Sequence, residues 1–549
     1  VTDTGERLRD LWNELLDRPE GAEDLDFFSL GGQSLIATRL IGRIAEEFGV
    51  RLRLRDVFDH PTLSGLSALV AAAREHARET GERIVADAPA DGPVRLVHTP
   101  SRPYSAPLAP LQEQFWKVER TLPEAAFFNQ VMRVDLSGNL DPRLLMSALR
   151  GAVRRHDVLH ATLEETPDGP RQTVRPDFTV PVRQREYGDL DEASREEVIR
   201  RAAKAEARLP FDLVREIPLR LRVLRFTATR SAVLVVTHHI AFDGWSRNQL
   251  VADVAAQYRA RVEGTALPEP LPFTYTDFAA WAVSHRAAGG MDASRAYWLE
   301  RLAAPYPDLR LPGALDGDDT YQSATHPVTV PASALASVSR LARRESTTDF
   351  TILLAVFLLA VACRSGARET MAAIQVANRR WPGAQALVGL FANTLVLRVP
   401  VDTADPFETY LRAVRSALLE AFDHQDVPLE EVVDALRERD GIDPADLLQV
   451  GFALQESWVP ETPVPGGFLR QASGLAVGDD QELDPSTFGL TMELRVDGPM
   501  LSGYVTYKAD RYPPEVIEAL VTTFDGILRT VTEEPRTAVG TLVAEQAAL

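Results

Sequence analysis

Cysteine is all but missing. The lone Cys363 sits in FLLAVACRSG, so no disulfide can form within the chain, which fits a reducing compartment. Its apolar surroundings point to an inert core thiol. Long apolar runs are missing too: residues 352–363 form the longest, short of the ~20 residues a spanning helix needs. The first residues, VTDTGERLRD, lack the charged-then-apolar pattern of a secretory signal. Positive charge is in deficit, with 59 Lys and Arg against 79 Asp and Glu and a net charge of −20, which disfavours a phosphate-backbone partner. A cytoplasmic protein with no nucleic-acid and no membrane partner is expected. Neither end reads as a natural start or stop, so a fragment is expected as well. What remains is ordinary globular composition, 45% hydrophobic and 25% charged, over 549 residues that suggest two to four compact units.

Residues 231–244, SAVLVVTHHIAFDG, organise the chain. The β-branched run 233–236 reads as a short buried strand that delivers His238 and His239 into a turn marked by Asp243-Gly244. Successive strand side chains point to opposite faces, so one imidazole can face a cavity while the other packs inward. Metal binding is not expected, because strand neighbours point apart and no cysteine or second histidine cluster is nearby.

Residues 1–78 read as a small all-α bundle. Leu8, Leu11, Trp12 and Leu15 recur at helical spacing, as do Leu35, Leu40, Ile41 and Ile44, and then Leu63, Leu66, Leu69, Val70 and Ala73. Pro61-Thr62 marks the start of the last helix. Gly31-Gly32 breaks the chain before Ser34, which lies at the amino end of the second helix; the plain reading of Ser34 is an N-cap. Residues 79–103 lose all periodicity and read as a linker. A coil of that length averages roughly 25–30 Å and reaches ~85 Å at most. From residue 104 on, helix and strand alternate: a helix around 111–122, a strand at 129–136, helices at 143–156 and 351–363 and a last helix near 514–531. Two α/β lobes, 104–272 and 273–549, with a cleft between them account for the length.

DLDFFSLGGQSLIATRL (residues 24–40) resembles the attachment motif of peptidyl carrier proteins of nonribosomal peptide synthetases. That resemblance implies 4′-phosphopantetheine carried on the hydroxyl of Ser34, where free N–H groups and the helix dipole suit a phosphate. Gln33 stands where the family has His or Asp. The remainder resembles a condensation domain, through PLQEQFW, RHDVLHATL, HHIAFDGWS, YTDFAAW, VGLFANTLVLR and HQDVPLEE in the family's order. The implied fold is two-lobed, α/β and similar to chloramphenicol acetyltransferase.

The resemblance implies that His239 faces a tunnel and positions or deprotonates an acceptor amine, while His238 is structural. It pairs Asp243 with Arg155, and leaves the Gly244 amide as a support for an oxyanion. Asn393 and Thr394 fall in the tunnel region. His160 and Leu429 depart from the family's usual Arg and Phe. Tyr275, Trp281 and Trp116 read as core aromatics, His424 as a turn residue, and Arg379-Arg380 as a solvated pair that could face a phosphate.

The implied partners are an upstream adenylation domain, downstream adenylation and carrier domains, and a phosphopantetheinyl transferase. HHIAFDGWS looks most like the type that takes an L-configured or achiral donor. Epimerisation domains share the His-His-Asp-Gly pattern but carry an acidic, glycine-containing motif where this chain has QVANRR (375–380). Heterocyclisation domains replace the histidines with aspartates. A condensation-like domain that only recruits a partner protein is the non-catalytic alternative.

Overall fold

A computed structural model describes residues 2–16, 26–50, 52–80, 104–121, 126–315, 323–381, 383–455, 461–472 and 488–547. From residue 81 on, the expected linker lies outside them.

Four helices make the amino-terminal bundle: Thr2–Leu16, Ser34–Phe48, Leu54–Asp59 and Leu63–Thr80. The three long ones carry the three apolar stripes, and Leu8, Trp12, Ile44, Leu66 and Val70 close around Phe27 and Phe28. Six residues are too few to establish a period, which is why the Leu54–Asp59 helix is not legible in the sequence. The chain enters the second helix through Gly32, where a Cβ would lie 2.3 Å from the Phe27 ring. No larger residue fits there without moving that ring.

The rest is built on two six-stranded sheets. In the first the strand order is Glu461–Val464, Gly467–Gln471, Asn129–Gly138, Arg230–His238, Leu219–Thr227 and Val182–Glu186. In the second it is Asn393–Pro400, Glu369–Val376, Val450–Gln455, Leu490–Asp497, Met500–Lys508 and Ser323–Val330. A small third sheet joins Tyr104–Pro107, Gly169–Val174 and Ala161–Thr166. The apolar run noted above is the centre of the second lobe: residues 351–362 of the helix Asp349–Ser365 are buried on every side. A helix apolar all round needs such a core. Among the described residues no single helix is long and apolar enough to cross a membrane.

A division at residue 272 is too simple. Residues 461–471 cross back to complete the first sheet, with Leu469 opposite Leu136, and bury Val464 and Leu469 in the first lobe's core. The helix Tyr275–Ala287 and residues 387–391 also pack there. Apolar surface goes where a face is open to cover it, whatever its place in the chain.

Candidate active site

The strand Arg230–His238 pairs on both sides, with Asn129–Gly138 and with Leu219–Thr227, so its inward residues are fixed in register. The chain then turns through His239–Ala241 and enters the helix Gly244–Glu263. His238 is buried between the rings of Phe128 and Phe211. Its Nδ1 accepts from the Ile240 amide at 3.1 Å, which leaves the proton on Nε2, 3.3 Å from Glu119 Oε2. Both nitrogens are committed to holding the turn.

His239 faces the other way, into a cavity of about 740 Å³. Its amide donates to the Phe128 carbonyl at 2.7 Å, and its ring packs on Phe115. Nδ1 is buried with no hydrogen-bond partner among the described residues. Burial pushes the imidazole pKa below its ordinary 6.5, so the ring is neutral near neutral pH and keeps a lone pair for a proton.

Asp243 does not pair with Arg155. Its partner is Arg379, whose Nη2 lies 2.9 and 3.0 Å from the two carboxylate oxygens. The same carboxylate caps the helix by accepting from Ser246 N, and it takes the amides of Phe391 and Ala392. Burial works against the charge, but the Arg379 guanidinium and these N–H donors hold the carboxyl below its usual range. Arg379 is thus no solvated residue: it is buried, stacks over Phe391, and donates to the carbonyls of Ala384 and Leu387. Arg155 instead reaches Asp253 at 3.3 Å and the Glu269 carbonyl, on the outer side of the lobe. The two arginines are both plausible from sequence order, and only the crossing of residues 377–392 into the first lobe decides between them.

Gly244 lines the cavity at the start of its helix without a left-handed φ, and a Cβ there would meet nothing within 4 Å. Its glycine serves open space, not backbone freedom. Asn393 is buried and ties the floor together: its Nδ2 donates to the Gln425 and Val427 carbonyls, and its Oδ1 accepts from the Thr394 amide. Thr394 lines the cavity, as does His424, whose ring stacks on Tyr297. Arg380 pairs with Asp426. His160 lies flat on Phe178 and meets the Arg175 carbonyl at 2.8 Å. Cys363 is pushed up to about 12 by burial.

Asp157 is the residue sequence reasoning missed. It takes the hydroxyls of Tyr104 and Thr276 and the amides of Val158, Tyr275 and Thr276, locking the helix Tyr275–Ala287 to the first lobe. An acid inside RHDVL, just ahead of the apolar Val158 and Leu159, is the signal that could have found it.

The bundle contributes to the same cavity through Thr38, Ile41, Ala45 and residues 52–54. Arg39 lies over the Trp245 ring, the Thr38 carbonyl accepts from Gln385, and Arg415 donates to the Phe58 carbonyl. Leu419 is buried in the bundle's own apolar cluster. Ser34 is the first helical residue, and the N-cap is Gln33, whose side chain makes no capping bond. The amide donors at that helix end are therefore not claimed by a capping side chain, which fits a phosphate ester on Ser34. Gln33 lies within hydrogen-bonding reach of Asp349, whose neighbour Phe350 lines the cavity.

Comparison with known proteins gives the family. A family model described as Condensation domain matches residues 104–548, and one described as Phosphopantetheine attachment site matches 6–70. A probable non-canonical nonribosomal peptide synthetase, CymA, of Salinispora arenicola is 33% identical over 97% of this chain, which covers 7% of that protein. Phosphinothricin tripeptide synthetase PhsB of Streptomyces viridochromogenes is 32% identical over 94% of the chain, 42% of its own length. The chain thus spans a minor part of these relatives. Among solved structures, the first condensation domain of the calcium-dependent antibiotic synthetase in complex with a substrate analogue superposes with a TM-score of 0.64 at 19% identity, over 80% of this chain and 98% of that one. The X-domain from teicoplanin biosynthesis gives 0.67 at 21%, over 81% and 98%. The chain belongs to the condensation-domain family and joins such a domain to a phosphopantetheine-attachment carrier, as in nonribosomal peptide synthetases.

Proposed function

We propose that this chain forms an amide bond between an acyl group held on its own carrier and an amine brought by a downstream carrier. Ser34 would hold the phosphopantetheine, which would present the acyl group as a thioester. The amine nitrogen attacks the acyl carbon, the C–N bond forms as the C–S bond breaks, the sulfur leaves as a thiol, and the nitrogen gives up one proton. Neutral His239 accepts that proton and passes it to the departing sulfur, its depressed pKa keeping the lone pair unprotonated near neutral pH and letting the proton go on readily. His238 and Asp243 keep the turn and the helix start in place, so the ring of His239 keeps its aim. The carrier spans 1–78, its last helix running on to Thr80, with a linker to 103 and condensation lobes at 104–272 and 273–549, of which residues 461–471 complete the sheet of the first lobe.

One observation carries this reading: carrier residues Thr38, Ile41 and Leu54 line the same cavity as His239. The donor is an L-configured or achiral residue, in keeping with HHIAFDGWS and with the direct succession of carrier and condensation domain. The place an epimerisation domain gives to an acidic motif is held here by Arg379, which is spent on Asp243. A purely recruiting domain has no use for a neutral imidazole with an orphaned nitrogen in a large chamber.

The test is a single-turnover assay with the chain loaded at Ser34 by a phosphopantetheinyl transferase from an aminoacyl-coenzyme A, then given a free aminoacyl thioester. The loaded protein yields the dipeptidyl product and Ser34→Ala yields none. Loading without any product, over a range of residue pairs, overturns the proposal.

A further inference from the structure

Arg247 lies one turn into the helix that begins at Gly244, and it lines the same cavity as His239. The other two arginines on the His239 side of that wall have carboxylate partners, Arg379 with Asp243 and Arg380 with Asp426. Arg247 has neither hydrogen bond nor ion pair with the described residues, and its Nε is buried without a partner. Glu493 acts on Arg247 only through space, its carboxylate accepting from Gln455 at 2.6 Å and from the Tyr504 hydroxyl at 3.3 Å. Arg247 is close enough for its charge to act on His239. A guanidinium taken from water with no carboxylate in direct contact is costly, and its planar fork of donors fits a carboxylate in bidentate fashion.

We infer that Arg247 is the anion-recognising residue of this chamber and that one of the two residues joined here carries a carboxylate side chain. This rests on the amide-forming role proposed above. The other anion that enters such a site, the phosphate of the carrier arm, is at the end of the arm remote from the thioester. A cation beside His239 meets the acyl end when the thioester is in reacting position. Gln130 and Asn248 line the same cavity and are neutral, so they bring no charge that would offset the guanidinium.

The experiment compares aspartyl with asparaginyl substrates, which match in shape and differ in charge, at each position in turn. One is loaded on Ser34 and the other supplied as a free thioester, in the wild-type chain and in Arg247→Gln, Arg247→Lys and Arg247→Glu, each checked for unchanged thermal unfolding. The wild type prefers aspartyl by about tenfold or more at one position. Arg247→Gln brings the ratio towards one, Arg247→Lys keeps part of it, and Arg247→Glu moves the preference to a lysyl substrate. Equal rates for the two substrates in the wild type overturn the inference and leave amide formation standing. An equal loss for both in Arg247→Gln assigns the arginine to a group they share, the arm phosphate, and also overturns it. No amide from any pair brings down the amide-forming role and this inference with it.

Discussion

Asp243 and Arg379 meet at 2.9 Å with both side chains at or below 1% exposure, and they fasten the histidine turn of one lobe to a segment that arrives from the other. Around them Ser246 Oγ receives the Gly389 amide at 3.0 Å, and Asp243 receives those of Phe391 and Ala392. The pair is a structural pin placed four residues from His239.

Removing one half of that pin leaves a buried charge alone. Asp243→Ala and Arg379→Ala are each expected to cost roughly 3–5 kcal/mol, and the double variant costs far less than their sum. Arg155→Ala, by contrast, is additive with Asp243→Ala. Urea denaturation of the wild type and these five single and double variants checks this, and an Asp243→Ala protein of wild-type stability contradicts it.

Two glycines separate shape from backbone freedom. Gly32→Ala drives a methyl into the Phe27 ring, 2.3 Å from the ideal Cβ, and destabilises the carrier by about 1–3 kcal/mol. Gly244→Ala meets nothing within 4 Å, so its stability stays within about 0.5 kcal/mol while the methyl narrows the cavity and slows turnover. Thermal unfolding and single-turnover rates on both variants distinguish the two effects.

The acid side of the pH profile carries the signature of His239. Its folded pKa lies below the 6.5 of the free group, so as pH falls below 6.5 the unfolded chain takes up a proton that the folded site resists. Stability therefore declines on the acid side, and His239→Gln lessens that decline. The same shift puts the ring's own limb in the rate profile below 6.5. Denaturation midpoints and rates across about pH 5 to 8 measure both.

Carrier docking depends on an apolar contact at Leu419. Leu419→Asp buries a charge against the bundle and is expected to lower amide formation from the tethered carrier by about tenfold. Loading of Ser34 by the transferase, followed by intact mass, stays at the wild-type rate, because the attachment helix itself is unchanged.

The sequence carried the helices and strands well where apolar spacing is long, as in residues 8–15, 143–156 and 514–531. It also carried the histidine pair, since a strand ending in a turn forces neighbours apart. It could not carry Arg379, because a partner in a buried ion pair is chosen by how residues 377–392 thread between the lobes. The crossover of 461–471 escaped for the same reason: sheet order is a long-range property. Asp157 sits within a motif already noticed and Arg247 directly after one, yet their roles depend on which groups surround them in space.

The most direct test is the single-turnover rate of His239→Ala with Ser34 loaded and a free aminoacyl thioester as amine. Loss of about 100-fold or more, with unfolding and loading unchanged, is the expected result. Product at near the wild-type rate contradicts the central claim that this imidazole serves the amine in the chamber it shares with the carrier.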